Sequence, residues 1–189
     1  IDRLAVALGI ALDEGLRRLF QRLVDHYVRQ RKQFFQLSLD KQYQVWLNNN
    51  ELTKERLLEM QTELSRFGYS PKISVVMPVY NTDEKWLRVA IDSVMNQIYS
   101  EWELCIVDDA STKKNIRKIL EEYSARETRN KVKYLTENRG ISQASNEALS
   151  MASGEFVGFL DHDDELTMDA LFQVVKLLNQ KTSLDLIYS

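Results

Sequence analysis

The key to the architecture is Ile73-Ser74-Val75-Val76-Met77, a run in which Ser74 is the one polar residue. A strand with water on one side alternates apolar and polar residues, whereas a strand buried on both faces is apolar almost throughout. The run therefore predicts a central strand of a sheet whose two faces are both covered by helices.

The chain after this run alternates between helical and extended patterns. Helices are predicted over 83–97, 115–125, 142–152 and 168–178, and further strands over 102–107, 132–135, 156–160 and 184–188. Strict alternation of strand and helix implies right-handed crossovers and a mainly parallel sheet, so the fold class is α/β. On the first of these helices, the side predicted to face the sheet carries Trp86, Leu87, Ala90, Ile91 and Val94.

The region before this domain, residues 1–70, is predicted to be α-helical. An apolar stripe at three- and four-residue steps is formed by Leu4, Leu8, Leu12, Leu16, Leu19, Leu23 and Tyr27. This stripe fits packing on a neighbouring domain or a partner helix, but the basic residues of 17–32 also fit a membrane surface. A long coiled coil is a third alternative, weakened by Gly9 and Gly15. Residues 1–35 are therefore candidates for helix-mediated protein contact or peripheral membrane contact.

Two shorter helices are predicted to follow within the same region. One covers 41–47, and the next begins after Thr53 as its cap. Its inward side is predicted to carry Leu57, Leu58 and Leu64. Gly68 and Pro71 then interrupt the helical pattern, which predicts a boundary between a helical region, 1–70, and an α/β domain, 71–189.

Composition places this chain of 189 residues among ordinary globular proteins, with 44% hydrophobic and 28% charged residues. Cys105 is the single cysteine, which excludes an internal disulfide, and we expect it to be a small core residue. Residues 71–189 carry 14 Lys+Arg against 19 Asp+Glu, and such an acidic domain is a poor binder of nucleic acid. We expect a cytoplasmic location, or a peripheral one at the inner face of the membrane.

Polar and aromatic groups follow four consecutive predicted strands. In open α/β sheets, ligands bind outside the carboxyl ends of the strands, so these groups are the candidate site. The four segments are Pro78-Val79-Tyr80-Asn81, Asp108-Asp109-Ala110-Ser111, Glu137-Asn138-Arg139-Gly140 and Asp161-His162-Asp163-Asp164.

The first three segments offer groups that suit a nucleotide. Tyr80 has a flat ring on which a base can stack, and Asp109 or its neighbour Asp108 can accept a hydrogen bond from a pyrimidine imide. The segment 138–140 precedes a predicted helix, so its backbone N–H groups and the Arg139 guanidinium are suited to phosphate.

The fourth segment concentrates three carboxylates within four residues, which favours a shared cation. Mg²⁺ and Mn²⁺ prefer oxygen ligands, and Mg²⁺ is often held by one or two carboxylates plus substrate phosphates. In an extended segment the side chains of Asp161 and Asp163 share one side. Asp164 then points elsewhere, takes over as ligand, or caps the following helix, and we expect His162 to be exposed or hydrogen-bonded.

Taken together, these residues resemble the family 2 glycosyltransferases of the GT-A fold. The resemblance covers 71–189 and is carried by 73–81, 90–97, 102–111, 138–142, 144–146, 154–156 and 160–164. It implies a Rossmann-like domain that binds a nucleotide-sugar donor, usually of the UDP or dTDP type, together with Mn²⁺ or Mg²⁺. Residues 42–64 resemble, with lower specificity, a helical lead-in of bacterial polysaccharide glycosyltransferases.

The resemblance also implies roles for individual residues. Pro78 and Tyr80 would line the base pocket, and Asp109 would bond the base. Asp161 would approach the ribose or the metal, and Asp163 would hold the metal that bridges the two phosphates, in a DXD motif. Asp164 matches a further acidic position of the family. Asn81, Asp108, Asn138, Arg139 and Gly140 complete the set of candidate nucleotide-binding residues.

The activity implied is inverting transfer of a sugar to a glycan or lipid-linked acceptor in cell-surface polysaccharide synthesis. Family members use a carboxylate base that we expect beyond Ser189, so the domain is expected to be C-terminally incomplete and poorly active alone. The alternative is a non-catalytic nucleotide-sugar-binding or assembly scaffold. A phosphotransfer domain is disfavoured, because no basic residue adjoins the acidic cluster.

Overall fold

The computed structural model describes residues 38–181 and 183–187. The apolar stripe predicted within 1–35 lies outside the described residues, so its alternatives stay predictions. The chain divides into two compact units, Ile1–Thr53 and Lys54–Ser189. None of the helices in the described part of the chain is both long enough and apolar enough to cross a membrane.

The described part of the first unit contains one helix, α1 (Leu39–Asn50). It begins where the Ser38 hydroxyl accepts a hydrogen bond from the Lys41 backbone at 3.5 Å. This cap satisfies one of the N–H groups that a helix start leaves unpaired. The helix predicted over 41–47 is therefore confirmed, with about one further half-turn at each end.

The second unit consists of a helix followed by alternating strands and helices. In chain order these are α2 (Lys54–Leu64), β1 (Ile73–Val79), α3 (Glu84–Met95), β2 (Trp102–Asp108), α4 (Lys114–Arg126), β3 (Asn130–Tyr134), α5 (Ile141–Ser150), β4 (Phe156–Phe159) and α6 (Ala170–Gln180). The four strands of the described chain form one sheet in the order β3-β2-β1-β4. Every neighbouring pair is parallel, as the alternation predicts.

The two central strands are buried along their whole length, which confirms the interpretation of the opening run. On one face Val75, Met77 and Leu104 pack with α3 and α4. On the other face β1 and β2 pack against α5, whose inward residues are Ala144 and Ala148. Small side chains at the contact allow a helix to lie close to the sheet.

The prediction of a fifth strand over 184–188 is wrong for residues 184–187, which form no strand; Tyr188 lies outside the described residues. Leu184 and Asp185 instead line an open groove beside the start of β4. A short, mostly apolar segment of this kind favours a strand. It does not show that a partner strand is available for pairing.

Three side chains lie on faces that the sequence did not predict. Leu58 is 63% exposed, whereas Met60 is the buried residue of α2. Trp86 is 47% exposed in the first turn of α3, where the Lys85 ammonium lies over its ring. Successive helical residues are rotated by about 100°, so adjacent apolar pairs leave the inward side ambiguous.

Helix α2 packs with the α/β unit, since its Glu63 carboxylate pairs with Lys176 of α6 at 2.9 Å. The division between the two units therefore precedes α2, whereas the boundary predicted from Gly68 and Pro71 follows it. The domain organisation drawn from the sequence stays a prediction.

Candidate functional site at the carboxyl ends of the strands

The loop after β1 is tied to the loop after β2 by Asn81. Its side-chain oxygen accepts hydrogen bonds from the backbones of Thr112 at 2.9 Å and Lys113 at 3.1 Å. Its own backbone N–H donates to the Ser111 hydroxyl at 2.9 Å. Asn81 has a φ of 47°, a conformation that asparagine adopts more readily than most residues. The structure thus gives this predicted nucleotide-binding residue a part in shaping the loops.

Asp109, just after β2, holds the backbone segment that leads into helix α5. It is 2% exposed, and its two carboxylate oxygens accept hydrogen bonds from the backbones of Arg139 and Gly140, each at 2.8 Å. A carboxylate at a helix N-terminus is stabilised both by these bonds and by the helix dipole. The backbone N–H groups of Arg139 and Gly140, which the sequence predicted to meet phosphate, are therefore already bonded to Asp109.

The acidic segment after β4 forms a turn. The backbone N–H of Asp164 donates to the carbonyl of Asp161 at 3.1 Å. The expectation that Asp161 and Asp163 share one side of an extended segment is therefore wrong, because the chain reverses here rather than continuing the strand. His162 is half-buried within the turn, and its Nδ1 lies 3.0 Å from the carbonyl oxygen of Pro78.

The loops after all four strands meet at one cavity of about 270 Å³. Its wall is largely apolar, with a buried carboxylate and an imidazole among the polar groups. The lining residues are Pro78, Val79, Tyr80, Asp109, Asn138, Gly140, Ile141, Ala144 and His162. An apolar cavity with a few convergent polar groups is the usual form of a small-molecule site.

Five predicted nucleotide-binding residues line this cavity: Pro78, Tyr80, Asp109, Asn138 and Gly140. Asn81, Arg139 and the three acidic-turn carboxylates are not among its lining residues. The Arg139 guanidinium pairs with Glu137 at 3.0 Å on the surface. Asp108 lies in the wall of a different cavity.

Sequence reasoning did not assign Val79, Ile141, Ala144 and His162 to the cavity wall. Ile141 and Ala144 occupy the first turn of α5, immediately after Gly140, which has a φ of 83°. A glycine with a positive φ lets the chain turn into the start of α5. The position of Gly140 in the sequence could therefore have indicated that the residues just after it line the cavity.

The acidic turn supplies carboxylates that suit a cation bound together with a ligand. Asp161, Asp163 and Asp164 are exposed, and among residues 38–181 and 183–187 their carboxylates form no hydrogen bond or ion pair. No group of three or more metal-binding side chains is gathered in that part of the chain. The donor set fits Mg²⁺ or Mn²⁺ held by one or two carboxylates and completed by ligand phosphates.

Sequence comparison decides the family of this domain. The profile described as Glycosyl transferase family 2 matches residues 74–188. The chain belongs to glycosyltransferase family 2. The matched range contains all four strands except Ile73, together with the acidic turn, so the family assignment covers the whole candidate site.

Known relatives agree with this assignment. The O-antigen biosynthesis protein RfbC of Myxococcus xanthus is 35% identical over 147 residues, which is 78% of this chain and 11% of RfbC. Among solved structures, S. aureus TarS 1–349 in complex with UDP-GlcNAc is 33% identical with a TM-score of 0.54, covering 59% of this chain and 32% of that one. The mannosyltransferase PcManGT from Pyrobaculum calidifontis, in complex with GDP-Man and Mn²⁺, is 26% identical with a TM-score of 0.53, covering 65% and 39%. This glycosyltransferase chain therefore spans a minor part of each of these proteins.

Proposed function

We propose that this domain binds the donor of a glycosyl transfer, a nucleotide diphosphate sugar of the UDP or dTDP type. The sugar would pass to a glycan or lipid-linked acceptor in cell-surface polysaccharide synthesis, with inversion at the anomeric carbon. The observation that carries the proposal is the cavity of about 270 Å³ in which four strand ends meet, next to a turn of free carboxylates.

The cavity walls suit a pyrimidine base. Tyr80 is 43% exposed and lines the cavity, and its ring is a flat face on which a base would stack. The Asp109 oxygens each accept one backbone hydrogen bond, and a carboxylate oxygen has a second lone pair for an imide N–H. The bonds from Arg139 and Gly140 hold this carboxylate in position before a base arrives, so little ordering is needed on binding.

The diphosphate of the donor would lie toward the acidic turn. Asp163, with Asp161 or Asp164, would hold Mn²⁺ or Mg²⁺ there together with the phosphate oxygens. Such a metal, when bound, offsets the charge of the departing nucleotide diphosphate. His162 bonds the carbonyl of Pro78 and so ties the acidic turn to the end of β1, beside the cavity.

The named relatives support the donor class and the pathway. RfbC is named for O-antigen biosynthesis. The TarS structure is a complex with UDP-GlcNAc, and the PcManGT structure is a complex with GDP-Man and Mn²⁺. Assignment of a UDP-type donor to this chain rests on the TarS similarity and on the fit of Asp109 to an imide.

Thermal unfolding with UDP, dTDP and GDP, each with and without Mn²⁺, tests the proposal. A ligand at one hundred times its Kd stabilises the native state by about 2.7 kcal/mol, which raises Tm by several degrees. UDP or dTDP with Mn²⁺ should give the largest rise. Asp163→Asn should remove the part that depends on Mn²⁺, whereas Glu165→Gln, a neighbouring exposed carboxylate, should not.

Three results would contradict parts of this proposal. No rise with any nucleotide would exclude the donor site. A Mn²⁺ effect that persists in Asp163→Asn would move the ligand role to Asp161 or Asp164. Nucleotide binding that no metal influences would favour the alternative, a non-catalytic nucleotide-sugar-binding scaffold.

A further inference from the structure

A second cavity, of about 500 Å³, lies at the carboxyl end of the sheet around the ends of β2 and β3. None of its lining residues lines the first cavity. They include Asp108, Ser111, Lys113, Lys114, Arg117 and Tyr134. Asp108 is the last residue of β2 and Asp109 the first after it, and the two line different cavities.

The wall of this cavity contains three cationic side chains. The Lys113 ammonium contacts the carbonyl of Thr82 at 3.3 Å, while Lys114 forms no hydrogen bond or ion pair with any described residue. Arg117 lies over the Tyr134 ring at 4.6 Å and pairs with Glu121 at 2.9 Å. Since that ion pair is exposed on both sides, it leaves most of the guanidinium charge available to a stronger anion.

Helix α4 starts at this wall without a side-chain cap. The N–H group of Ile116 bonds the carbonyl of Lys113 at 3.2 Å, so those of Lys114 and Asn115 are open to an anion, which the helix dipole also favours. The wall of this cavity contains three cations and the start of an uncapped helix, but a single carboxylate, that of Asp108. The net charge of the wall is therefore positive.

Two polar groups in the wall are incompletely satisfied. Asp108 is 5% exposed, and one of its oxygens accepts the Ser111 backbone N–H at 3.1 Å, while the other accepts no bond from any described residue. The Tyr134 hydroxyl is buried without a hydrogen-bond partner. Buried polar groups are normally paired, so the Tyr134 hydroxyl indicates a missing partner, whereas the open oxygen of Asp108 is not fully buried and stays accessible to a ligand. A carboxylate needs a donor, and a hydroxyl of a ligand is such a donor.

We propose that this cavity binds a sugar phosphate. The phosphate would be held by Lys114, Arg117 and the first N–H groups of α4. A hydroxyl of the sugar would donate to the free oxygen of Asp108. A free sugar phosphate and a phosphorylated sugar within a glycan acceptor present the same groups to these residues.

Amide NMR titration with glucose 1-phosphate, inorganic phosphate and glucose, at one ionic strength, tests this proposal. Glucose 1-phosphate should shift the amides of 111–117 and 134–136 at lower concentration than inorganic phosphate, and glucose alone should not shift them. Lys114→Ala and Arg117→Ala should each weaken binding by about tenfold, the value of one charge-assisted hydrogen bond. Asp108→Asn should reduce the preference for glucose 1-phosphate over inorganic phosphate.

Lys118→Ala is the matched control, because Lys118 lies exposed on the same helix outside the cavity wall. An equal loss of affinity in this variant would show a general effect of surface charge and overturn the proposal. Unshifted amides at 111–117 would do the same. If UDP-glucose shifts the amides of 111–117 at a lower concentration than glucose 1-phosphate does, this cavity is part of the donor site and not a second binding site. UDP shifts confined to 138–141 would support two separate sites.

Discussion

Glu103 at the amino end of the sheet and the acidic turn at its carboxyl end differ in burial and in hydrogen bonding. At the amino end, Glu103 of β2 is 1% exposed and bonded from every side. Its oxygens pair with Lys72 at 2.6 Å and Lys131 at 2.8 Å, and accept bonds from the Ser74 hydroxyl and the Ser153 backbone. At the carboxyl end, the acidic turn after β4 is exposed and its carboxylates bond to no described residue.

The charge of Glu103 stabilises the fold, whereas the charges of the acidic turn are available to a ligand. Burial alone would raise the pKa of Glu103, but hydrogen bonds from Lys131, Lys72 and Ser74 hold it well below its usual range. The Lys131 pKa is raised by the same contact. The network joins β1, β2, β3 and the loop before β4, so it fixes the sheet from which the site loops extend.

Glu103→Gln should have the largest effect on stability. The substitution keeps the shape of the side chain but removes the charge that two lysines and buried donors share. Breaking a buried ion pair costs about 3–5 kcal/mol, and we expect about 3 kcal/mol here because the lysines are 44% and 39% exposed. Chemical denaturation measures this loss. The matched control is Glu121→Gln, from an exposed pair, and a similar loss in both variants would contradict a special role for the buried network.

The same network makes folding sensitive to acid. Since the Glu103 pKa is lower in the folded state, its contribution is fully present above the ordinary Glu pKa of about 4.3. It is lost as pH falls from about that value toward the lower folded pKa. The stability difference between wild type and Glu103→Gln should therefore be constant above about pH 5.5 and shrink below about pH 4. Denaturation curves at several pH values measure it, and a difference that grows with acidity would refute the assignment.

Asp109 stands between these two cases, because it is buried like Glu103 but lies in the ligand cavity. Asp109→Asn leaves one acceptor for two N–H groups, so we expect a loss of about 1.5–3 kcal/mol. Calorimetry should also show weaker UDP binding than in wild type. If stability falls while UDP affinity is kept, Asp109 supports the segment before α5 and is not a base-binding residue.

The sequence was sufficient to predict the parallel sheet and the placement of the candidate site at its carboxyl end. The apolar run of β1 has one structural interpretation, and parallel strands bring their carboxyl ends to one edge. Five of the predicted nucleotide-binding residues line one cavity for that reason.

What the sequence did not reveal depends on local backbone geometry and on pairing. The turn at Asp161–Asp164 is set by one backbone hydrogen bond, and no residue type in it demands a turn. Strand register fixes the side of β2 on which Asp108 lies. The sequence Asp108-Asp109 does not show that register. The segment 184–187 has a strand-like pattern, but a pattern carries no information about its partner.

The smallest effect on stability is expected for Asp163→Asn. Asp163 is exposed and its carboxylate bonds to no described residue, so the folded state loses no favourable contact. Removing one of three neighbouring negative charges also relieves repulsion, and we expect a change within about 0.5 kcal/mol, neutral or stabilising. Denaturation without metal at low and high salt measures it, because screening should remove any gain. A clear loss of stability would mean that Asp163 supports the turn as Glu103 supports the sheet, and the contrast between the two ends would no longer hold.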